Sequence, residues 1–132
     1  MDAIQKGTVL YERPPLEALP KTDVIPRGVY PARLFDVRRF TNAWGDRLAF
    51  MYEITEGEQA GKRVIQSTAT ALSKRSKLGQ TVATLLGREL TDNEALYGYD
   101  PRGLIGTECK LVLGLAATRA GKPYTTVENI LK

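Results

Sequence analysis

One stretch of this chain fixes what its first half can become. Across residues 48–54 the side chains alternate with a period of two: Leu48, Phe50, Tyr52 and Ile54 fall on one face, Ala49, Met51 and Glu53 on the other. That is the pattern of a half-buried strand, and no helix of 3.6-residue period gathers those residues on one side. The segment 28–67 around it reads as three strands. In the first, Tyr30, Ala32 and Leu34 alternate against Val29 and Arg33 until the pattern slips by one residue and Phe35 and Val37 become the apolar positions. Such a slip predicts a β-bulge, the device that lets a long strand bend. The third strand is expected over 62–67, after a turn holding Gly57 and Gly61.

Beyond Ser73 the period changes. Leu78, Val82, Leu85 and Leu86 stand at i, i+4, i+7 and i+8, so a helix is expected over 73–86, with Ser73 as N-cap and Gly87 just past its end. Thr91-Asp92-Asn93-Glu94 is a capping box opening a short helix that ends near Tyr97. A turn-rich stretch over 98–106 follows. Cys109, Leu111, Leu113 and Leu115 share one face of a fourth strand, and a fifth, over 124–131, returns after the turn 118–122. Ala60-Gly61-Lys62 and Ala120-Gly121-Lys122 mark two hairpin turns. Strand, strand, strand, helix, strand, strand is the order of the OB-fold, a mainly β, five-stranded Greek-key barrel with a helix between strands three and four. The barrel domain is expected over 28–132. Residues 1–27, with Pro14, Pro15, Pro20 and Pro26 and no sustained period, are expected to form an extended N-terminal arm.

Composition narrows the function. The 132 residues suit one domain, and no apolar run is long enough to span a bilayer. The N-terminus lacks the pattern of a signal peptide, so a cytoplasmic protein with no membrane partner is expected. One Cys excludes an internal disulfide, and the absence of His removes the commonest metal ligand and general base. No enzyme, cofactor or metal is expected, and Cys109 reads as a small core residue. Asp36, Asp46 and Asp100, the carboxylates that a nuclease would have to use, are scattered at turn-like positions. A P-loop over 57–63 fails, because three residues rather than four separate Gly57 from Gly61, and Arg63 rather than Ser or Thr follows Lys62.

The net charge is +4. Within 1–27, Lys6, Arg13, Lys21 and Arg27 balance Asp2, Glu12, Glu17 and Asp23, so the excess belongs to the remainder. There Lys62, Arg63, Lys74, Arg75 and Lys77 follow one another with no acid between them, the footprint of a protein that meets a polyanion. An OB-fold takes its ligand over strands two and three and between the loops joining strands one to two and four to five. The first loop, 41–47, carries Trp44; the second, 118–122, carries Arg119 and Lys122 and leads to Tyr124. Trp44, Phe40 and Tyr124 are the candidate stacking faces, and Arg38, Arg39, Arg47, Lys62, Arg63, Arg119 and Lys122 the candidate phosphate contacts. Lys74, Arg75 and Lys77 at the expected helix start complete the set. Two readings of Trp44 stay open: an exposed contact residue, or a ring folded back to cap the barrel end.

The runs Gly28-Val29-Tyr30-Pro31-Ala32, Asn42-Ala43-Trp44-Gly45, Tyr52-Glu53-Ile54-Thr55-Glu56-Gly57, Ala60-Gly61-Lys62, residues 73–78, Leu104-Ile105-Gly106, and Tyr124 with Val127 and Ile130 carry a resemblance. Over residues 25–131 the chain resembles small phage-encoded OB-fold proteins of the single-stranded DNA-binding type. The resemblance implies sequence-tolerant binding of single-stranded DNA in phage replication or recombination, in the host cytoplasm, by a homo-oligomer with replication proteins as partners. Nothing here separates DNA from RNA. Many such proteins recruit partners through an acidic tail, which Asn129-Ile130-Leu131-Lys132 does not supply. The competing expectation is a non-enzymatic barrel that docks another protein through the Trp44 loop and the N-terminal arm.

Overall fold

The computed structural model describes residues 22–43 and 45–132. It is mainly β: β1 (Gly28–Asn42), β2 (Gly45–Ile54), β3 (Arg63–Ala69), β4 (Glu108–Ala117) and β5 (Pro123–Leu131) form one antiparallel sheet. Two helices, α1 (Lys77–Leu86) and α2 (Asp92–Tyr97), and a 3-10 turn over Pro101–Leu104 lie between β3 and β4. The strands are hydrogen-bonded in the order β3-β2-β1-β4-β5.

β1 holds the sheet together because it pairs on both sides, residues 28–33 with β4 and residues 32–42 with β2. At the handover the register shifts between Leu34, opposite Tyr52, and Asp36, opposite Met51. Phe35 is the extra residue. The bulge is therefore where the slip in the sequence pattern put it, but its effect on the faces differs from expectation. Leu34 and Val37, three apart, both enter the main core, while Phe35 turns to the opposite face and packs beside Phe40, Ala49, Met51 and Ile65. The second face of β2 is consequently not a solvated one. Ala49 and Met51 are buried because aromatic and β-branched side chains from β1 and β3 cover them.

The expected loop over 41–47 is much shorter than its residue types suggested. Thr41 pairs with Asp46 and Asn42 with Gly45, which leaves a two-residue connection, Ala43-Trp44. Gly45 supplies the positive φ of 108° next to this turn, and the Thr41 hydroxyl donates to Asp46 Oδ1 at 2.9 Å. β3 likewise begins one residue later than expected and runs on to Ala69.

α1 starts at Lys77 with Ser76 as its cap, not Ser73. Ser73 and Ser76 hold each other instead: each backbone N–H donates to the other's Oγ at 3.0 Å, forming a tight turn just before the helix. A Cβ on Gly79 would lie 1.7 Å from the Ser73 carbonyl oxygen, so this close approach requires glycine. Gly87 ends the helix in the left-handed region as expected. Leu78, Val82 and Leu85 enter the core. The capping box forms at Thr91 and Glu94, and Arg88 adds two 2.9 Å bonds to the Glu94 carboxylate.

Strands β3 and β5 lie side by side, with Cα atoms within 8 Å, but no ladder joins them. Part of this seam is filled by the end of the arm. The Asp23 N–H donates to the Arg63 carbonyl at 3.2 Å, and the Arg63 N–H returns a bond to Asp23 Oδ2 at 3.0 Å. Two residues on, the Ile25 N–H donates to Thr125 Oγ1 at 2.7 Å, and the Ile25 side chain is 0% exposed in the core. The packed unit thus reaches back across residue 27. The extended arm expected over 1–27 otherwise falls on residues 1–21, which lie outside the described residues.

Two expectations follow. Ile25→Ala should destabilise by about 2–5 kcal/mol, the cost of emptying a buried aliphatic site, whereas the exposed Val24→Ala should stay within about 0.5 kcal/mol. Urea denaturation of the two variants measures this; equal effects would mean that the arm does not seal the seam. The second concerns Glu94, whose carboxyl is held down to about 2 chiefly by the Arg88 side chain and then by the Thr91 backbone. A lowered folded-state value stabilises above the unfolded value and is lost as pH falls. The thermal midpoint of Glu94→Gln should therefore lie below wild type near neutral pH, with the gap closing between about pH 4.5 and 2.

Candidate nucleic-acid interface

Past Thr22 the seam stays open. Between β3 and β5 runs a groove of about 370 Å³, and its walls come from elements far apart in sequence. β2 contributes Arg47, β3 contributes Ile65 and Ser67, α1 contributes Lys77, and β5 contributes Tyr124 and Thr126. Arg47 is placed by the sheet register, opposite Phe40 on one side and Ala69 on the other, and its Nη2 donates to Ser67 Oγ at 3.1 Å. Lys77 is the first residue of α1, which the Ser76 cap fixes. Tyr124 pairs with Ala116 at the start of β5 and is 44% exposed. No carboxylate lines this groove among the described residues. An aromatic face, two cations and hydroxyl groups in one channel can stack a base and hold its phosphates.

The other expected residues divide clearly. Arg119 and Lys122 are exposed in the turn 118–122, which closes through a 2.9 Å bond from the Thr118 N–H to the Lys122 carbonyl and leads into β5; neither lines the groove. Arg38 and Arg39, adjacent in sequence, fall on opposite faces: Arg38 stands opposite Ala49 in the second cluster, Arg39 opposite core Leu48. Phe40 is buried at 5% exposure, so it offers no free stacking face; its ring belongs to the second cluster. Arg63 is at the far end of β3, over the Phe35 ring at 4.5 Å and 3.6 Å from Glu53 Oε1, with Lys62 half-buried beside it. Trp44 lies outside the described residues.

The basic cluster expected at the helix start is split. Lys74 and Arg75 sit in the turn before α1, and only Lys77 belongs to the helix. Lys74 is engaged elsewhere, 2.6 Å from Asp92 Oδ1; this contact raises the ammonium and lowers the carboxyl from their ordinary values. Asp36, Asp46 and Asp100 remain apart: Asp46 bonds Thr41, and Asp100 chelates the Arg102 guanidinium. Among the described residues no three His, Cys, Asp or Glu side chains gather to hold a metal ion, and no helix is long and apolar enough to cross a membrane. Cys109 is buried in the core; burial pushes its thiol up to about 11, against a small lowering by Lys132.

Sequence reasoning missed Ser67, Gln66 and the threonines of β5. A signal was present. Val64, Gln66 and Thr68 share one face of β3, so an inward row turns polar halfway along the strand. In a strand of a dry core that would be costly; beside an open seam it is not. Against known proteins, no family model matches the chain, and no curated protein matches it either.

Proposed function

We propose that this protein binds single-stranded DNA without strong sequence preference, as a partly open OB-fold barrel whose strand path is the groove between β3 and β5. One observation carries the reading: Arg47, Lys77 and Tyr124, from three separate elements, line a single groove with no carboxylate in it among the described residues. The strand order, with β3 beside β5 and a helix between the third and fourth strands, supports the OB-fold part. In this reading Tyr124 stacks a base, Arg47 and Lys77 hold flanking phosphates, and Arg119 and Lys122 extend the path beyond the groove. The protein does no chemistry on the strand. Its place would be phage DNA replication or recombination, as the resemblance of the sequence implies, with oligomerisation lengthening the path.

The test is a titration with fluorescein-labelled oligo(dT), followed by anisotropy and by the emission of Trp44, at low and at moderate salt. Binding should weaken steeply with salt, as counterion release requires. Arg47→Ala and Lys77→Ala should each weaken binding and flatten the salt slope by about 1, and Tyr124→Ala should cost about 1–3 kcal/mol. Lys74→Ala, whose charge Asp92 already balances, should do much less. Absence of binding at low salt would overturn the proposal and favour a barrel that docks another protein.

A further inference from the structure

β3 has a free edge along the seam. Arg63 turns its backbone N–H and C=O away from β2, because Asp23 takes both: the Asp23 N–H donates to the Arg63 carbonyl, and the Asp23 carboxylate accepts from the Arg63 N–H. The two-residue period of a strand gives Ile65 and Ser67 the same orientation. No described residue meets their backbone groups, and no ladder joins β3 to β5. Both residues line the groove.

The chain enters this gap from the arm. Thr22, the first residue described, lines the groove with Ile65, Gln66 and Ser67, all farther along β3 than Arg63. Going back in sequence from Asp23 therefore means going forward along β3, which is the antiparallel sense. The pair Asp23 and Arg63 then fixes a register: residue 21 opposite 65, 19 opposite 67, 17 opposite 69. The arm's own residues suit that register. Alternate residues of an antiparallel strand bond to a given neighbour, so 17, 19 and 21 supply the N–H groups, and Pro20, which has none, falls where the backbone faces away from β3. Pro15 and Pro14 fall opposite 71 and 72, past the end of β3 at Ala69. Glu17, opposite Ala69, comes into one row with Arg47, which pairs with Ala69 from the other side. Two strand spacings, about 10 Å, separate those two backbones, a gap that a glutamate and an arginine bridge over a small alanine. The groove holds no carboxylate among the described residues, and this register brings one to its cation.

We infer that residues 17–22 dock on the free edge of β3 in their own chain as a sixth, antiparallel strand, with Glu17 against Arg47. Continuity selects the same chain as occupant, since Asp23 has already made the first pair. The docked segment takes the β3 wall of the groove, so a bound DNA strand has to displace it. That consequence rests on the single-strand reading; the docking does not.

The test uses the full chain. Leu19→Cys/Ser67→Cys places two thiols in the register above, whereas Ala18→Cys/Ser67→Cys is one residue out and puts its first thiol on the opposite face. Cys109 is buried and stays in both. With oxidised glutathione, the first variant should close an intramolecular disulfide at least about tenfold faster than the second, because only its Cβ atoms meet the geometry of the bond. Equal rates would overturn the docking, and so would a disulfide-linked dimer, which would assign the edge to the arm of a second copy. Without any cross-link, the Ile65 and Ser67 amides should exchange hydrogen about tenfold more slowly in wild type than in Leu19→Pro, which removes a donor at a bonding position and alters no described residue. Equal exchange would overturn the docking as well. Leu19→Pro should also bind oligo(dT) about threefold more tightly, since the groove no longer has to be cleared first. Unchanged affinity would overturn the displacement alone. If no oligonucleotide binds, the strand reading falls, and the cross-link and the exchange rates still decide the docking.

Discussion

Five strands paired in a single row leave two edges, and in this protein both edges belong to the same seam. β3 and β5 lie alongside each other without a ladder. Unpaired strand edges invite association with other chains, so a fold with such a seam must cover it or use it. This one does both. At one end Asp23 and Ile25 pair with Arg63 and Thr125 and seal the core. Past Thr22, the same seam opens into the groove. The β1 bulge at Phe35 falls where the strand exchanges its β4 partner for β2, and a bulge bends the strand that carries it.

The inner wall of the seam explains why polar side chains occupy core positions. Tyr52 is fully buried and its hydroxyl bonds Gln66, which in turn reaches Thr81 on α1. Burial pushes the Tyr52 phenol well above its ordinary value, so it stays a neutral donor. A neutral hydrogen bond adds about 0.5–1.5 kcal/mol net, while a buried partner left unpaired costs about 1–3 kcal/mol. The chain of bonds therefore matters less for total stability than for where it pins α1 against β3. That placement sets Lys77 at the groove.

Much of the architecture was legible because it follows from periodicity. The alternation over 48–54, the slip near Phe35, the leucine stripe of α1 and the capping box at Thr91 each appear as a strand, a bulge, a helix and a cap. What failed to show was anything set by pairing across distance. Residues Thr41 to Arg47 contain turn formers, yet most of them are strand, because β1 and β2 zip together up to Asn42 and Gly45. Phe40, a candidate stacking face by residue type, is core for the same reason. Ser73 and Ser76 are equally good caps by residue type; their mutual bonds and the Gly79 approach decide in favour of Ser76. Of the candidate site, the residue types were readable and the grouping was not, since Arg47, Lys77 and Tyr124 meet only through the seam.

Charge balance separates the groove from the rest of the basic surface. Arg63, Lys74, Arg88 and Arg102 each have a carboxylate within 4 Å: Glu53, Asp92, Glu94 and Asp100. Arg47, Lys77, Arg119 and Lys122 have none among the described residues. A cation already paired must give up or share its partner to meet a phosphate, and exposed pairs of this kind contribute only about 0–1 kcal/mol to stability. An unpaired one meets the polyanion without that competition and releases the phosphate's counterions in full. The modest net charge of +4 therefore understates the local field, because the acids that reduce it sit beside other cations. Of the basic run from Lys62 to Lys77, Arg63 and Lys74 lie against carboxylates, and Lys77 lines the groove.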